Sequence, residues 1–137
     1  MYPLTAYPIT RPLMNNIYTN PVTSFAQISY IPNISQTATI SPQACIIGGA
    51  IIGDNVNVAP FASIRGDEGM PIYIGKNSNI QEGVVIHGLK DKYVDQNGYK
   101  ASEYIGDNVS LAHQAQVHGP AKVGNNVFIG MQSFVFK

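Results

Sequence analysis

Branched apolar residues recur at every sixth position along most of the chain after residue 38. They fall in three runs: Ile40, Ile46, Ile52, Val58 and Ile64; Ile74, Ile80 and Ile86; and Ile105, Leu111, Val117, Val123, Ile129 and Val135. Alanine or serine stands two positions before most of them. Neither a helix nor an ordinary strand has a period of six, whereas short strands stacked in successive coils do. The pattern predicts an all-β protein, a parallel β-helix built from hexapeptide repeats with the branched residues inside.

A longer repeat identifies the individual coils. Four similar segments begin at Ile52, Ile74, Ile105 and Val123. Val123 follows Ile105 by three hexads, whereas the two earlier spacings are longer. If each coil takes three hexads, the surplus forms a short insertion at 65–71 and a longer one from Gly88 to about Tyr104. The composition of both segments is typical of loops.

The prolines divide the chain into two parts. Six of the nine prolines lie at or before Pro42, and all thirteen glycines follow Ile47. Because proline restricts φ and has no N–H to donate, we expect residues 1–36 to form a Pro-rich, extended N-terminal arm and residues 37–137 to form the β-helix domain. The apolar residues of the arm leave two alternatives, packing on its own domain or on a neighbouring subunit.

The three histidines predict a metal site. His87 and His118 occupy the same position in adjacent coils, so they should share one face about 4.8 Å apart. His113 belongs to another face and cannot join them within one chain. Imidazole is a common ligand of Zn²⁺, and in a cyclic trimer the His113 of a neighbour would complete the site. Three unrelated surface histidines are the alternative.

Composition excludes several classes of protein. The formal net charge is zero and 12% of the residues are charged, which argues against a nucleic-acid-binding protein. No apolar run approaches the roughly 20 residues of a membrane span, and the N-terminus lacks the pattern of a secretion signal. Cys45 is the only cysteine. We therefore expect a cytoplasmic protein without a disulfide and with no nucleic-acid or membrane partner.

Four segments are more specific than the repeat itself: 65–71 (RGDEGMP), 79–87 (NIQEGVVIH), 105–120 (IGDNVSLAHQAQVHGP) and 128–136 (FIGMQSFVF). They resemble the γ-class carbonic anhydrases and the related N-terminal domain of the carboxysome scaffold protein. The resemblance implies a left-handed β-helix, a homotrimer with metal sites at the subunit interfaces, and reversible hydration of CO2 to bicarbonate and a proton by metal-bound hydroxide. Zn²⁺ is the expected metal, with Fe²⁺ or Co²⁺ as alternatives because three imidazoles suit several divalent ions.

The resemblance also implies roles for single residues. It makes His87, His113 and His118 the metal ligands. Arg65 and Asp67 match an ion pair between subunits, for which a pair within one chain is the alternative. Gln81 would orient hydroxide or CO2, with Asn79 as a supporting polar group. Glu68 matches a glutamate that moves protons, and an idle loop carboxylate is the alternative.

Two features depart from the family. Lys90 stands where the archaeal prototype has a proton-shuttling glutamate, and an ammonium group with a pKa near 10 is a poor shuttle at neutral pH. We therefore expect a slow or buffer-dependent enzyme, with Asp91, Asp95 and Glu103 as candidate substitutes. The chain also ends at Lys137 in mid-coil, where the family continues through further coils to a C-terminal helix.

Two other functions stay open at this point. A trimeric scaffold that binds bicarbonate or partner proteins with little catalysis would have the same fold. A hexapeptide acyltransferase would also place a histidine between subunits, but it needs no metal. Resistance of the activity to chelators would identify the acyltransferase.

Overall fold

The computed structural model describes residues 3–6 and 15–137, and all of their regular structure is β. The strands are β1 (Thr5–Ala6), β2 (Ile17–Tyr18), β3 (Tyr30–Ile31), β4 (Asn33–Ile34), β5 (Thr39–Ile40), β6 (Cys45–Gly48), β7 (Ala50–Ile52), β8 (Asn57–Val58), β9 (Ser63–Gly66), β10 (Ile72–Ile74), β11 (Asn79–Ile80), β12 (Val85–His87), β13 (Val94–Gln96), β14 (Tyr99–Ala101), β15 (Glu103–Ile105), β16 (Ser110–Leu111), β17 (Gln116–His118), β18 (Ala121–Val123), β19 (Phe128–Ile129) and β20 (Phe134–Phe136). Among these residues no helix is long and apolar enough to cross a membrane.

Three parallel sheets form the walls of a solenoid of five coils. The first sheet runs β4-β7-β10-β15-β18, the second β5-β8-β11-β16-β19, and the third β2-β6-β9-β12-β17-β20. Each coil contributes one strand to each sheet, and equivalent strands pair in parallel. The parallel β-helix predicted from the six-residue period is therefore confirmed.

The core lies inside the coils and consists of the branched residues that the period identifies. Ile52, Ile74 and Ile105 are aligned partners on neighbouring strands, and each is buried. The equivalent residues of the end coils, such as Ile40 and Val135, pack against this core but are only partly buried. Their exposure follows from their place, because each has a neighbouring coil on one side.

The corners of the coils depend on residues that tolerate a left-handed backbone. Asn55, Asn77, Asn108 and Asn126 occupy one equivalent corner and have φ of 57–60°. Asparagine adopts this conformation more readily than other side-chain-bearing residues. The repeated Gly-x-Asn therefore sets the turn, and with it the register that aligns the site residues below.

Both insertions lie where the coil count predicts them. The second one, between β12 and β15, contains an antiparallel hairpin of β13 and β14, where the composition predicts only a loop. Its two-residue turn is Asn97-Gly98, with φ of 50° and 87°. Asn-Gly is the strongest short signal for such a turn, so the hairpin was readable from the sequence.

The described part of the N-terminal segment is tied to the solenoid. β1 pairs with β3, and β2 extends the third sheet by pairing with β6. The first coil begins at β4, so Asn33–Ile34 belongs to the solenoid although residues 1–36 were expected to form the arm. Residues 1–2 and 7–14 of that arm lie outside the described residues, and the division into arm and domain stays a prediction.

Candidate metal centre

His87 and His118 lie side by side on the third sheet. β12 and β17 pair so that His87 is the direct partner of His118. Their rings meet edge to face with centroids 5.8 Å apart. On the two strands that flank this pair, Arg65 is the partner of His87 and Phe136 is the partner of His118. The structure thus places both histidines on one face, in adjacent coils, as the coil count predicts.

Two carboxylates from the first insertion face His87. Its Nε2 lies 2.8 Å from Oδ1 of Asp67 and 3.3 Å from Oε1 of Glu68. One ligand atom from each of these three residues lies within 4.8 Å of the other two. Imidazole nitrogen and carboxylate oxygen are both ligands of divalent transition metals, so this half of the site suits a cation.

Arg65 completes the group of polar residues around His87. Its Nη1 donates a hydrogen bond of 2.8 Å to Oδ2 of Asp67 in the same chain. The pair within one chain, the alternative left open by the sequence, is therefore formed. A role of Arg65 and Asp67 between subunits stays a prediction.

The ring nitrogens of His118 and His113 have distinct surroundings. Nδ1 of His118 lies 3.0 Å from the carbonyl oxygen of Gly119, and Nδ1 of His113 lies 2.9 Å from Oε1 of Glu82. An Nδ1–H that donates to such an oxygen leaves the Nε2 lone pair available, which is the common arrangement of metal-binding histidines.

His113 and the predicted polar residues Gln81 and Asn79 belong to the second sheet and its corner. Asn79 lies in β11, where its Oδ1 accepts a hydrogen bond of 3.4 Å from Asn57. Gln81 follows β11 and is joined to the next coil through its backbone N–H, which donates to Leu111 O at 3.0 Å. Among the described residues no hydrogen bond or ion pair links this group to His87 and His118. The predicted ligands of one chain therefore lie in two groups on different faces.

The three acids named as substitutes for the missing shuttle occupy different environments. Asp91 and Asp95 are exposed on the second insertion; the backbone N–H of Asp91 donates to Glu68 O at 3.1 Å, and Asp95 accepts a hydrogen bond from Gly98 N at 2.7 Å. Glu103 is fully buried, and burial raises the pKa of its carboxyl to about 8. A signal for this burial was present, since Glu103 stands two positions before the inward-facing Ile105, where most repeats have a small residue.

The sequence of the chain is similar to those of several known proteins. Residues 104–137 match the family described as bacterial transferase hexapeptide (six repeats). A carbonic anhydrase of Methanosarcina thermophila is 52% identical over 96% of this chain and 58% of its own length. The carboxysome assembly protein CcmM of Nostoc sp. is 50% identical over 75% of this chain and 19% of its own length. The chain thus spans less than two thirds of either relative.

A solved structure from Bacillus cereus, described as a candidate acetyltransferase, supports the fold. It covers 89% of this chain and 76% of its own chain with a TM-score of 0.58 and 18% identity, which shows a shared architecture and no more. The sequence relationship to the Methanosarcina enzyme is more specific, because it includes the four motifs and the aligned histidines. Nearly the whole chain is similar to part of a carbonic anhydrase, and its motifs resemble those of the γ class.

Proposed function

We propose that the protein catalyses the reversible hydration of CO2 to bicarbonate and a proton, with a divalent metal held between the subunits of a homotrimer. The observation that carries the proposal is the pairing of His87 with His118 on adjacent strands. The identity of 52% to a carbonic anhydrase over nearly the whole chain supports the reaction.

The side chains present fit a divalent cation. His87 and His118 of one subunit and His113 of the next would supply three imidazole nitrogens, and zinc accepts such a set. Asp67 and Glu68 add negative charge beside His87, where a dication would be favoured. A bound dication lowers the pKa of its water to about 7, which supplies a nucleophile for CO2 at neutral pH.

The remaining polar residues would orient the reactants and accept the proton. Gln81 carries an amide that can donate to an oxygen of CO2 or bicarbonate, and Asn79 lies on the strand that leads into it. Glu68, whose carboxylate lies 3.3 Å from Nε2 of His87 and whose side chain is 15% exposed, would take a proton near His87 and release it towards solvent. Arg65 holds the neighbouring Asp67 in place.

A trimer would join the two groups of ligands that one chain keeps apart. Each subunit would present the His87 and His118 face of its third sheet to the corner of a neighbour that carries His113 and Glu82. Cyclic symmetry then produces three equal sites. Zinc, ferrous iron and cobalt all suit the donors, and the choice among them is tested by loading each metal.

The experiment combines stopped-flow CO2 hydration with mixed trimers. Zinc-loaded protein should be active, and chelated protein, His113→Ala and His118→Ala should be inactive. When the two variants are unfolded together and reassembled, some interfaces receive intact histidines from both sides, so about a quarter of the activity should return by random mixing. Activity that survives chelation, or no recovery in mixed trimers, would contradict the proposal.

A scaffold with little catalysis is the second candidate. The similarity to CcmM, which is named an assembly protein, favours it. Exposed apolar side chains on the last coil favour it too, namely Phe128, Met131, Phe134 and Phe136. A zinc-loaded trimer that binds metal stoichiometrically but does not hydrate CO2 would support this candidate over the enzyme.

A further inference from the structure

Glu103 interrupts an otherwise apolar row inside the solenoid. Its aligned partners in the first sheet are Ile72 in the preceding coil and Ala121 in the following one, and Ile72 is in turn the partner of Ala50. All four residues are buried, and Glu103 has no exposed surface. An ionisable side chain in such a row costs free energy unless something pairs with it.

The carboxyl group lies directly behind the two aligned histidines. A Cβ atom built on Gly88 would lie 3.1 Å from Oε1 of Glu103, and one on Gly119 would lie 2.9 Å from its Cδ. These glycines immediately follow His87 and His118, and the Gly119 N–H donates to the His87 carbonyl at 2.9 Å. The carboxyl therefore packs against the backbone that carries the histidine pair.

No cation in the described part of the chain pairs with Glu103. Neither carboxyl oxygen accepts a well-aligned hydrogen bond, although the Ser102 hydroxyl and the Gly119 amide lie near enough to favour the anion slightly. Burial dominates and raises the pKa of Glu103 to about 8, with the charge of Glu68 acting in the same direction.

The other charged groups nearby do not offset this burial. On the flanking strands, Lys122 follows the buried Ala121 and Tyr73 precedes the buried Ile74. Alternation therefore places both side chains on the outer face of the sheet. Lys90 follows Gly88 by two positions and is exposed. Glu68 is the charged side chain that affects the pKa of this carboxyl, and it raises it.

We propose that Glu103 is the buried counter-charge of the metal site, neutral while the site is empty, ionised when a divalent cation is bound, and the source of one proton released to solvent on binding. Three neutral imidazoles leave the charge of a dication uncompensated, and a carboxyl group behind their backbone lowers its energy by ionising. Glu103 has no exposed surface, so it acts on the charge of the site and does not serve as a proton shuttle in each catalytic cycle. The inference rests on the metal site of the proposed function.

Calorimetric titration of zinc into the full chain tests it. At pH 7, titrations in two buffers of different ionisation enthalpy give the number of protons released per ion. We expect the native chain to release about one proton more per site than Glu103→Gln or Glu103→Val, and to bind zinc at least about tenfold more tightly. Asp54→Asn, which removes an exposed carboxylate from the turn between β7 and β8, is the matched control and should leave both quantities unchanged.

The pH dependence separates this role from packing. At about pH 9 Glu103 is already ionised in the empty site, so the extra proton should disappear while the two Glu103 variants still bind zinc more weakly. Equal proton release at pH 7 from the native chain and Glu103→Gln, with tight zinc binding in both, would overturn the proposed role of Glu103 and leave the metal site intact. A native chain that binds no zinc would overturn the metal site and the counter-charge together.

Discussion

His87 and His118 are direct partners on adjacent parallel strands, and their rings meet at 84°. This spacing allows both imidazoles to reach one ion. We expect His118→Ala to lose stoichiometric zinc binding, measured by metal analysis after gel filtration. Gln116→Ala changes an exposed side chain of the same strand and should keep the metal. Full zinc content in His118→Ala would contradict the pairing as a ligand set.

Glu82 should orient His113 without binding the metal itself. Its carboxylate lies 2.9 Å from Nδ1 of His113, and both side chains are 53% exposed. Loss of such an outer partner typically lowers metal affinity about 10–100-fold, and we expect an effect of this size for Glu82→Gln in competition with a chelator. Glu82→Asp keeps the charge and should recover part of the affinity. Native affinity in Glu82→Gln would show that the contact orients nothing.

Arg65 should matter more to assembly than to the stability of one chain. Its side chain is 44% exposed, and an ion pair this exposed contributes at most about 1 kcal/mol to the free energy of unfolding. We expect Arg65→Ala to change denaturant unfolding little but to raise the monomer fraction in sedimentation velocity. Lys90→Ala removes an exposed positive charge from the second insertion and serves as the control. An unchanged trimer in Arg65→Ala would show that the ion pair of Arg65 and Asp67 acts within one chain and does not stabilise the contact between subunits.

The pKa of Glu103 predicts how stability depends on pH. The value is raised from 4.5 to about 8 by burial, so between these values the folded chain holds a proton that the unfolded chain has released. The free energy of unfolding therefore falls as pH rises through this window, by at most about 1.4 kcal/mol per pH unit, and this contribution is constant below and above it.

Glu103→Gln removes this dependence on pH. In chelated protein, the variant should gain stability relative to the native chain as pH rises from about 5 to about 8, and the difference should then level off. Urea unfolding at a series of pH values measures it. A difference that is constant across the series would show that Glu103 does not titrate in this range.

Lys90 should make proton export depend on buffer. It is exposed and stands three positions after His87, where its side chain offers no carboxylate to accept a proton. We expect CO2 hydration to accelerate with imidazole concentration at constant pH and ionic strength, and Lys90→Glu to reduce this dependence. Lys90→Gln removes the charge without adding an acceptor, so it should behave like the native chain. A native rate insensitive to imidazole would count against proton export as the slow step.

Much of the fold follows from local chemistry that the sequence displays directly. Branched residues must point inward at every sixth position, and asparagine stands at one equivalent corner of four coils, where the backbone turns left-handed. These two requirements determine the coil length, and the coil length aligns Ile52 with Ile74 and His87 with His118. The position of both insertions follows as well, because extra residues cannot be absorbed inside a coil of constant length.

Only the tertiary structure determines which side chains from distant segments contact each other once the coils are stacked. The pairing of Asp67 and Glu68 with His87 depends on how the first insertion folds back over the third sheet, which no repeat specifies. The contact of Glu82 with His113 joins side chains from two successive coils, with the whole second insertion between them in the chain. Glu103 is buried because Gly88 and Gly119, which directly follow two other strands, leave room for its carboxyl. A period along the chain determines register, whereas the environment of a charge depends on atoms that packing brings together from distant segments.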